Sequence, residues 1–291
     1  MSDLSAQRQI TSDDLKTFHT HISTFLKRVP DEAWERPTGS RAEDWTLHQT
    51  LAHLLAVAQV FNKAADAALR AEPLVTRDFE RREQLETWNQ AQVDRLVLVP
   101  PNGLIVQYLQ ELRIAHDKLA LLTNTNHSQT AHLPNFNRPA RAIDFIHWQM
   151  SHAGIVHGAQ IIATLNREPL WQDFNADFTA RLVGYYLQQW SMIYWNEYGT
   201  PDAQTLNFHI GGAGGGAWHI VVAPDGGSSG AGARDNAQHA LTFANPYVLF
   251  GVFSGHLNMR RALANGQMQI DGDMHATLDL LRLFSPAPPR L

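Results

Sequence analysis

Histidine is the residue type in this chain whose number and spacing could support chemistry. The 291 residues include 15 histidines and no cysteine. Without cysteine the chain has no disulfide, no thiolate metal ligand and no cysteine nucleophile, so any thiol chemistry needs a cofactor thiol. A transition-metal site would therefore be built from imidazole and carboxylate groups.

The segment DWTLHQTLAHLLA carries His48 and His53 on one predicted helix. A spacing of five residues turns the helix by about 500°, so the two rings point in different directions. His53 lies among leucines, closer to the buried face, which places His48 at the rim of any site. At most one of the two is expected to join a shared site.

The segment HWQMSHAGIVHGAQI carries His147, His152 and His157 at intervals of five. Metal-binding pairs on a regular α-helix use a spacing of four, and a spacing of five misses that alignment by about 100°. A π-bulge adds one residue to a turn and would restore the alignment. Gly154 lies between the last two histidines, where such a distortion is easier. A lone helical histidine is usually structural. Three histidines on two helices of a cysteine-free bundle strengthen the case for a metal site, but the spacing alone leaves both interpretations open.

Hydrophobic periodicity predicts helices throughout the first 170 residues. Thr11 and Asp14 fit a capping box near the start of the first helix, and Thr46 fits the cap of the second. Apolar residues recur at helical spacing over about 11–29, 46–70, 81–98, 104–122 and 142–165. Several long amphipathic helices in succession predict a helical bundle.

After about residue 170 the pattern changes. A helix is expected at about 178–195, followed by alternating segments that predict strands at TLNFHI, AWHIVVA, Leu241 with Phe243, and Met268 with Ile270. The run GGAGGG is expected to connect the first two strands. Short helices are expected at about 246–256, 258–264 and 274–284. These elements predict an α+β domain.

The first part of the chain resembles the DinB/YfiT-like family of metal-binding four-helix bundles over about residues 10–168. The resemblance is carried by W-T-L-x-x-x-L-A-H (Trp45 to His53), by LETWNQAQVDRL with LIVQYLQELRIAHDKL, and by HGAQI from His157. It implies a divalent metal, zinc or nickel, held by one histidine of the second helix and two ligands of the fourth. His53 and His157 match directly. The third ligand is expected at Ala153, and the nearest candidate is His152.

The second part resembles sterol-carrier-protein-like domains over about residues 175–287. The matching segments are WHIVVAPDG and SGHLNMRRALANGQMQIDGDMHATLDLLRLF, of which GQMQIDGD is the most specific. The resemblance implies an apolar tunnel between a small mixed sheet and its helices. The expected domains are a bundle over residues 1–170 and a sterol-carrier-protein-like domain over residues 171–291.

The domain order resembles that of mycothiol-dependent maleylpyruvate isomerases. It implies an enzyme that uses a divalent metal, held by His53, His152 and His157, and a low-molecular-weight thiol for transfer or isomerisation on a small molecule. The isomerase activity itself is less expected than the broad class, because its acidic fourth-helix ligand has no match at Ala153. The sequence names no general acid or base. The alternative is a protein that binds a lipid or other apolar ligand, with the bundle as a structural or dimerisation platform.

Charge and hydropathy exclude other classes of function. The net charge of −5 argues against a dedicated nucleic-acid-binding protein. No apolar run reaches the roughly 18 residues of a membrane span, and the polar first residues are unlike a secretory signal. A cytoplasmic protein is the default expectation. The sequence allows a homodimer and does not fix the oligomeric state.

Overall fold

The computed structural model describes residues 4–38, 44–72, 82–134, 136, 138–165, 170–192, 203–223 and 227–282. By their internal contacts the residues divide into two compact units. The first unit comprises Met1–Asn135 and Pro139–Leu170, and the second comprises Phe136–Arg138 and Trp171–Leu291.

The first unit is a helical bundle, as the sequence predicts. Its helices are α1 (Leu4–Leu26), α2 (Leu47–Arg70), α3 (Arg82–Leu96), α4 (Pro101–Ala120), α5 (Ala142–Ser151) and α6 (Gly158–Leu165). A π-helical turn, His152–His157, joins α5 to α6, and strands β1 (Thr130–Ala131) and β2 (Ala140–Arg141) form a short ribbon. Helix α2 is central, because it contacts α3, α4, α5, the π turn and α6. In the described part of the chain no helix is both long and apolar enough to cross a membrane.

A capping box fixes the start of α2. The Thr46 hydroxyl accepts from the Gln49 amide at 3.2 Å, and the Gln49 side chain accepts from the Thr46 amide at 2.9 Å. This reciprocal pair satisfies two backbone donors that the first helical turn would leave unpaired. The predicted cap at Thr46 is therefore confirmed, and the register of every later α2 side chain follows from it.

The predicted cap of α1 is wrong. Helix α1 already begins at Leu4, so Thr11 and Asp14 lie inside it, and both are buried. The Thr11 hydroxyl is hydrogen-bonded to Nε2 of His147 on α5 at 2.9 Å. The pattern of a threonine followed three residues later by an acidic residue is therefore not specific for a helix cap. Here it occurs inside a helix, where the threonine hydroxyl makes a buried hydrogen bond to a neighbouring helix.

The second unit is an α+β fold, as predicted. It contains α7 (Ala176–Met192), β3 (Gln204–Ile210), β4 (Gly216–Val222), β5 (Ser228–Ala231), β6 (His239–Phe243), α8 (Pro246–Phe253), α9 (Met259–Ala264), β7 (Met268–Asp271) and α10 (Met274–Arg282). The sheet order is β5-β4-β3-β6-β7, with β3 parallel to β6 and the other pairs antiparallel. The glycine run connects β3 to β4, as expected. The part of the helix predicted beyond Met192 lies outside the described residues.

Strand β5 is the one described strand of this sheet that the sequence analysis did not predict. Its residues, Ser228 to Ala231, are serine, glycine and alanine, which are typical of a turn rather than a strand. Gly230 pairs with His219 of β4, and a Cβ atom at Gly230 would lie 2.8 Å from Cε1 of that ring. The strand therefore needs a glycine where it passes the buried imidazole. At this position it lacks the β-branched or aromatic residue from which a strand is usually predicted.

Helix α5 contains a buried polar group around His147. Arg141 donates from Nε and Nη2 to the two carboxylate oxygens of Asp144, at 3.0 and 2.8 Å. Burial lowers the pKa of His147 to about 4, although the nearby charge of Asp144 acts in the opposite direction. The imidazole is therefore neutral in the folded protein at neutral pH.

The neutral His147 makes stability depend on pH. Its pKa is 6.5 when exposed and about 4 when folded, so the unfolded chain binds more protons between these values. The free energy of unfolding therefore falls as the pH drops from about 6.5 to about 4, by about 2 kcal/mol at about pH 5. We expect His147→Gln to remove this part of the pH dependence, measured by urea unfolding with a chelator present.

The half-buried His127, which lies outside the buried contacts of α5, provides the control for this measurement. His127→Gln should follow the wild-type dependence of unfolding free energy on pH. Parallel curves for wild type and His147→Gln between about pH 5 and pH 7.5 would contradict the assignment of a depressed His147 pKa.

Candidate metal centre

Three histidines from two segments of the bundle lie together. His53 comes from α2, and His152 and His157 come from the two ends of the π turn. One potential ligand atom from each residue lies within 4.8 Å of those of the other two. The ring centroids are 5.3 Å apart for His53 and His152, 4.7 Å for His53 and His157, and 4.5 Å for His152 and His157. These are the three residues that the sequence analysis named.

The π turn brings His152 and His157 to the same face. A π turn holds one residue more than an α turn, so side chains five apart in sequence become neighbours. The Gly158 amide donates to the Ala153 carbonyl, which is the five-residue bond of a π turn. A Cβ atom at Gly158 would lie 2.9 Å from that carbonyl oxygen, so the glycine permits the close approach. The resemblance places the third ligand at Ala153, but the methyl side chain of this residue has no atom that could bind a metal.

Helix α2 places His53 on the buried side, as the sequence predicts. The residue is 5% exposed, and its Nδ1 has no hydrogen-bond partner among the described residues. The indole of Trp45, just before the helix, lies against the His53 ring with centroids 4.8 Å apart. Trp45 is held there by a hydrogen bond from its Nε1 to the side chain of Gln90 on α3, at 2.9 Å.

Gln160 fixes the orientation of the His157 ring. Its side-chain oxygen accepts from Nδ1 of His157 at 2.8 Å, which leaves the Nε2 lone pair of His157 directed at the cluster. Nε2 of His152 lies 3.2 Å from Nε2 of His157, so with His157 in this tautomer His152 donates its proton to that lone pair. A hydrogen bond from the outer nitrogen of a ligand histidine sets its tautomer and ring orientation. Gln160 was not predicted from the sequence, although its i+3 spacing from His157 on a helix signals such a contact.

All three imidazoles are neutral at neutral pH. Burial is the main cause that lowers the pKa of each, to about 4 for His157 and well below 6.5 for His53 and His152. Neighbouring imidazoles of the cluster lower the pKa of His53 and His152 further. Among the described residues no aspartate or glutamate contributes to any of these three shifts. The neutral form is the one that binds metal ions.

Two other candidate histidines lie outside the cluster. His48 turns away, and its Nε2 lies 2.9 Å from the Val99 carbonyl oxygen. His147 lies in the regular helix α5 and is hydrogen-bonded to the Thr11 hydroxyl, and its spacing of five residues from His152 does not align the two rings. Of the two histidines of α2, His53 lies in the cluster and His48 does not, which agrees with the expectation that at most one of them points into a shared site.

The donor set fits a divalent transition metal. Zn–N bonds of about 2.0–2.1 Å place two nitrogen ligands of one tetrahedral ion roughly 3.4 Å apart. The two Nε2 atoms of His152 and His157 are already 3.2 Å apart. The His53 ring offers a buried nitrogen without a partner in the described structure. Three imidazole ligands suit zinc, nickel, copper or iron and leave a further coordination position open.

Comparisons with known proteins agree with this architecture. Residues 15–160 match the family model of the mycothiol maleylpyruvate isomerase N-terminal domain, and residues 200–285 match the SCP-2 sterol transfer family. Two solved structures of the mycothiol-dependent maleylpyruvate isomerase, one a histidine-to-alanine mutant, are similar over 100% of both chains. Their TM-scores are 0.55 and 0.57 and their identities 10% and 11%, which establishes a shared fold. No curated protein sequence matches the chain. The match to the first of these family models, over residues 15–160, covers half of the chain. The chain therefore belongs to the family of the mycothiol maleylpyruvate isomerase N-terminal domain.

Proposed function

We propose that this protein is a divalent-metal-dependent enzyme that uses a low-molecular-weight thiol for isomerisation or transfer on a small molecule. The observation that carries the proposal is the convergence of His53, His152 and His157, whose potential ligand atoms lie within 4.8 Å of one another. Membership of a family named for a mycothiol-dependent isomerase supports the thiol as the cofactor. Zinc and nickel are the expected metals, because the resemblance to the DinB/YfiT-like family implies them and neutral imidazole ligands suit both.

The metal and the protein have separate tasks in this proposal. A divalent ion in the site would lower the pKa of a thiol bound to it, so that the thiol is available as a thiolate nucleophile at neutral pH. The chain's own residues prepare the site. Gln160 holds the His157 ring in one tautomer, and the Trp45 indole covers the His53 ring. Burial keeps the three histidines unprotonated, so that protons do not compete with metal binding at neutral pH.

The match of residues 200–285 to a sterol transfer family favours a second candidate function. In this alternative the second unit binds a lipid or another apolar molecule, and the bundle has a structural role. The two candidates differ in what the purified protein contains. The first requires a bound metal that depends on the three histidines, whereas the second requires an apolar ligand that organic solvent extracts.

The metal is tested first, on protein purified without a His-tag or chelator. Plasma mass spectrometry should find close to one zinc or nickel per chain. His53→Ala, His152→Ala and His157→Ala should each lose most of it, since a structural or catalytic ion needs at least three protein ligands. His48→Ala is the matched control, because this ring lies on α2 but bonds the Val99 carbonyl, and it should retain the metal.

One result would overturn the metal-dependent proposal. It is a folded wild-type protein that stays metal-free after incubation with zinc or nickel. If that protein also releases an apolar molecule into organic solvent, the second candidate function is supported. Far-ultraviolet circular dichroism on each variant separates loss of a ligand from loss of the fold.

Gln160 is expected to tune the affinity for the metal. Gln160→Leu removes the acceptor for Nδ1 of His157 and should weaken zinc binding about 10–100-fold. Gln160→Glu keeps an acceptor at the same place and should stay near the wild-type affinity or above it. Competition with a chromophoric chelator measures both variants. Equal affinities for wild type and the leucine variant would show that this hydrogen bond does not orient a ligand.

The thiol is tested by spectroscopy and turnover. Mycothiol added to the cobalt-loaded protein should produce sulfur-to-metal charge-transfer absorption, and its disulfide should not. The reaction to test first is maleylpyruvate isomerisation, for which the structurally similar isomerases are named. Isomerisation regenerates the thiol and transfer consumes it, so the thiol balance separates these two reactions. Turnover that survives removal of both thiol and metal would contradict the proposal.

A further inference from the structure

The second unit contains a buried histidine, His219 of β4, that the candidate metal centre does not use. It pairs across the sheet with Asn207 of β3 and Gly230 of β5, and it is 6% exposed. A carbonyl oxygen can only accept, so Nδ1 of His219 donates to the Gly232 carbonyl at 2.7 Å and the lone pair of Nε2 stays available. Nε of Arg234 donates to this lone pair at 3.2 Å. The imidazole therefore serves as an acceptor for an arginine side chain.

The backbone of Arg234 is also held by a buried side chain of the sheet. Its amide donates to Oδ1 of Asn207 at 2.9 Å, and its carbonyl oxygen accepts from Nδ2 of Asn207 at 2.9 Å. Asn207 is 7% exposed. Hydrogen bonds from the buried side chains of Asn207 and His219 thus fix both the position of Arg234 and the plane of its guanidinium. An arginine held in this way loses little further conformational freedom when it binds a ligand.

The outer end of the guanidinium is open. In the described part of the chain, Nη1 and Nη2 of Arg234 have no hydrogen-bond acceptor and no carboxylate partner. Arg234 is exposed, and the residues before it, Ala231, Gly232 and Ala233, are exposed and small. A Cβ atom at Gly232 would meet no heavy atom of a non-neighbouring residue within 4 Å. Two free Nη groups in one plane match the two oxygens of a carboxylate or the oxygens of a phosphate.

We propose that Arg234, held by His219 and Asn207, forms an oxyanion-binding site on the sheet of the second unit. Its ligand is a small molecule whose carboxylate or phosphate group accepts two parallel hydrogen bonds from Nη1 and Nη2. His219 and Asn207 are positioning residues, because they hold the arginine and do not touch the oxyanion. The site shares no residue with the candidate metal centre, so this inference does not depend on the proposed enzyme activity.

The experiment is a nuclear magnetic resonance titration of the full chain, labelled with the heavy nitrogen isotope. The protein is first freed of metal and chelator by dialysis, so that the metal centre cannot bind the probes. Succinate is the carboxylate probe, methyl phosphate is the phosphate probe, and succinamide is the neutral control. The Nε–H resonance of Arg234, identified by its loss in Arg234→Lys, should shift saturably at millimolar concentrations of an oxyanion and should not respond to succinamide. The probe that binds more tightly identifies the class of ligand.

Variants of the exposed Arg234 separate the guanidinium fork from its charge. The backbone amide resonance of Gly232 reports binding in all of them. Arg234→Gln should weaken oxyanion binding more than about tenfold, and Arg234→Lys should lose nearly as much, because an ammonium cannot form the two parallel bonds. Arg260→Gln is the matched control, because it removes another exposed arginine of the second unit, and it should leave the affinity unchanged.

His219→Phe tests the positioning role, because it keeps an aromatic ring but removes the acceptor for Nε. It should weaken oxyanion binding about three- to tenfold, which is the effect of immobilising one flexible side chain on binding. It should also speed the exchange of the Arg234 Nε–H with water. Circular dichroism separates this effect from loss of the fold, and the Arg234 variants test the site if His219→Phe does not fold.

Two results would overturn the proposed oxyanion site. The first is a folded wild type whose Arg234 Nε–H does not respond to either oxyanion, or responds equally to succinamide. The second is an oxyanion affinity that is the same in the wild type and in Arg234→Gln or Arg234→Lys. Neither result changes the metal content of the protein, so the oxyanion site and the metal-dependent function can fail separately.

Discussion

The candidate site depends on the π turn between His152 and His157. In a regular α-helix these two side chains would lie about 140° apart around the helix axis, whereas the wider turn puts their Nε2 atoms 3.2 Å apart. Two glycines make the wider turn fit. A Cβ atom at Gly158 would meet the Ala153 carbonyl oxygen at 2.9 Å, and one at Gly154 would meet the Phe18 ring of α1 at 3.0 Å. The π turn in the backbone therefore also sets the geometry of the two histidine nitrogens that could bind a metal.

The sequence predicted the parts of this arrangement that follow from local patterns. Thr46 carries a cap signature, and its capping box is confirmed. The five-residue spacing and Gly154 pointed to a π turn, and the structure has one over His152–His157. The bundle and the mixed sheet also followed from hydrophobic periodicity. Each of these signals lies within a few residues of the feature that it predicts.

The features that the sequence did not reveal depend on contacts between distant segments. Thr11 looked like a helix cap because its neighbours fit one, but its partner is His147, which lies 136 positions later in the chain. Strand β5 looked like a turn because Gly230 is selected by the ring of His219 across the sheet. Trp45 looked like part of a local signature, yet Gln90 of α3 holds its indole against His53. The local propensities of a segment contain no information on such partners, because the residue type is constrained by a contact with another helix or strand.

The π turn is held in register from both sides, so its geometry does not depend on a bound metal. Before the turn, His147 is tied to α1 through Thr11, and the side chain of Gln149 donates to Asn62 of α2 at 3.0 Å. After the turn, Ile161 and Ile162 of α6 are fully buried. Rewinding the turn as an α-helix would rotate α6 by about 100° relative to α5. That rotation would either break the buried polar contacts of α5 or expose the two isoleucines, at a cost of about 1.5–3 kcal/mol for each. Packing therefore keeps His152 and His157 on one face, and binding energy from a metal is not needed to bring them together.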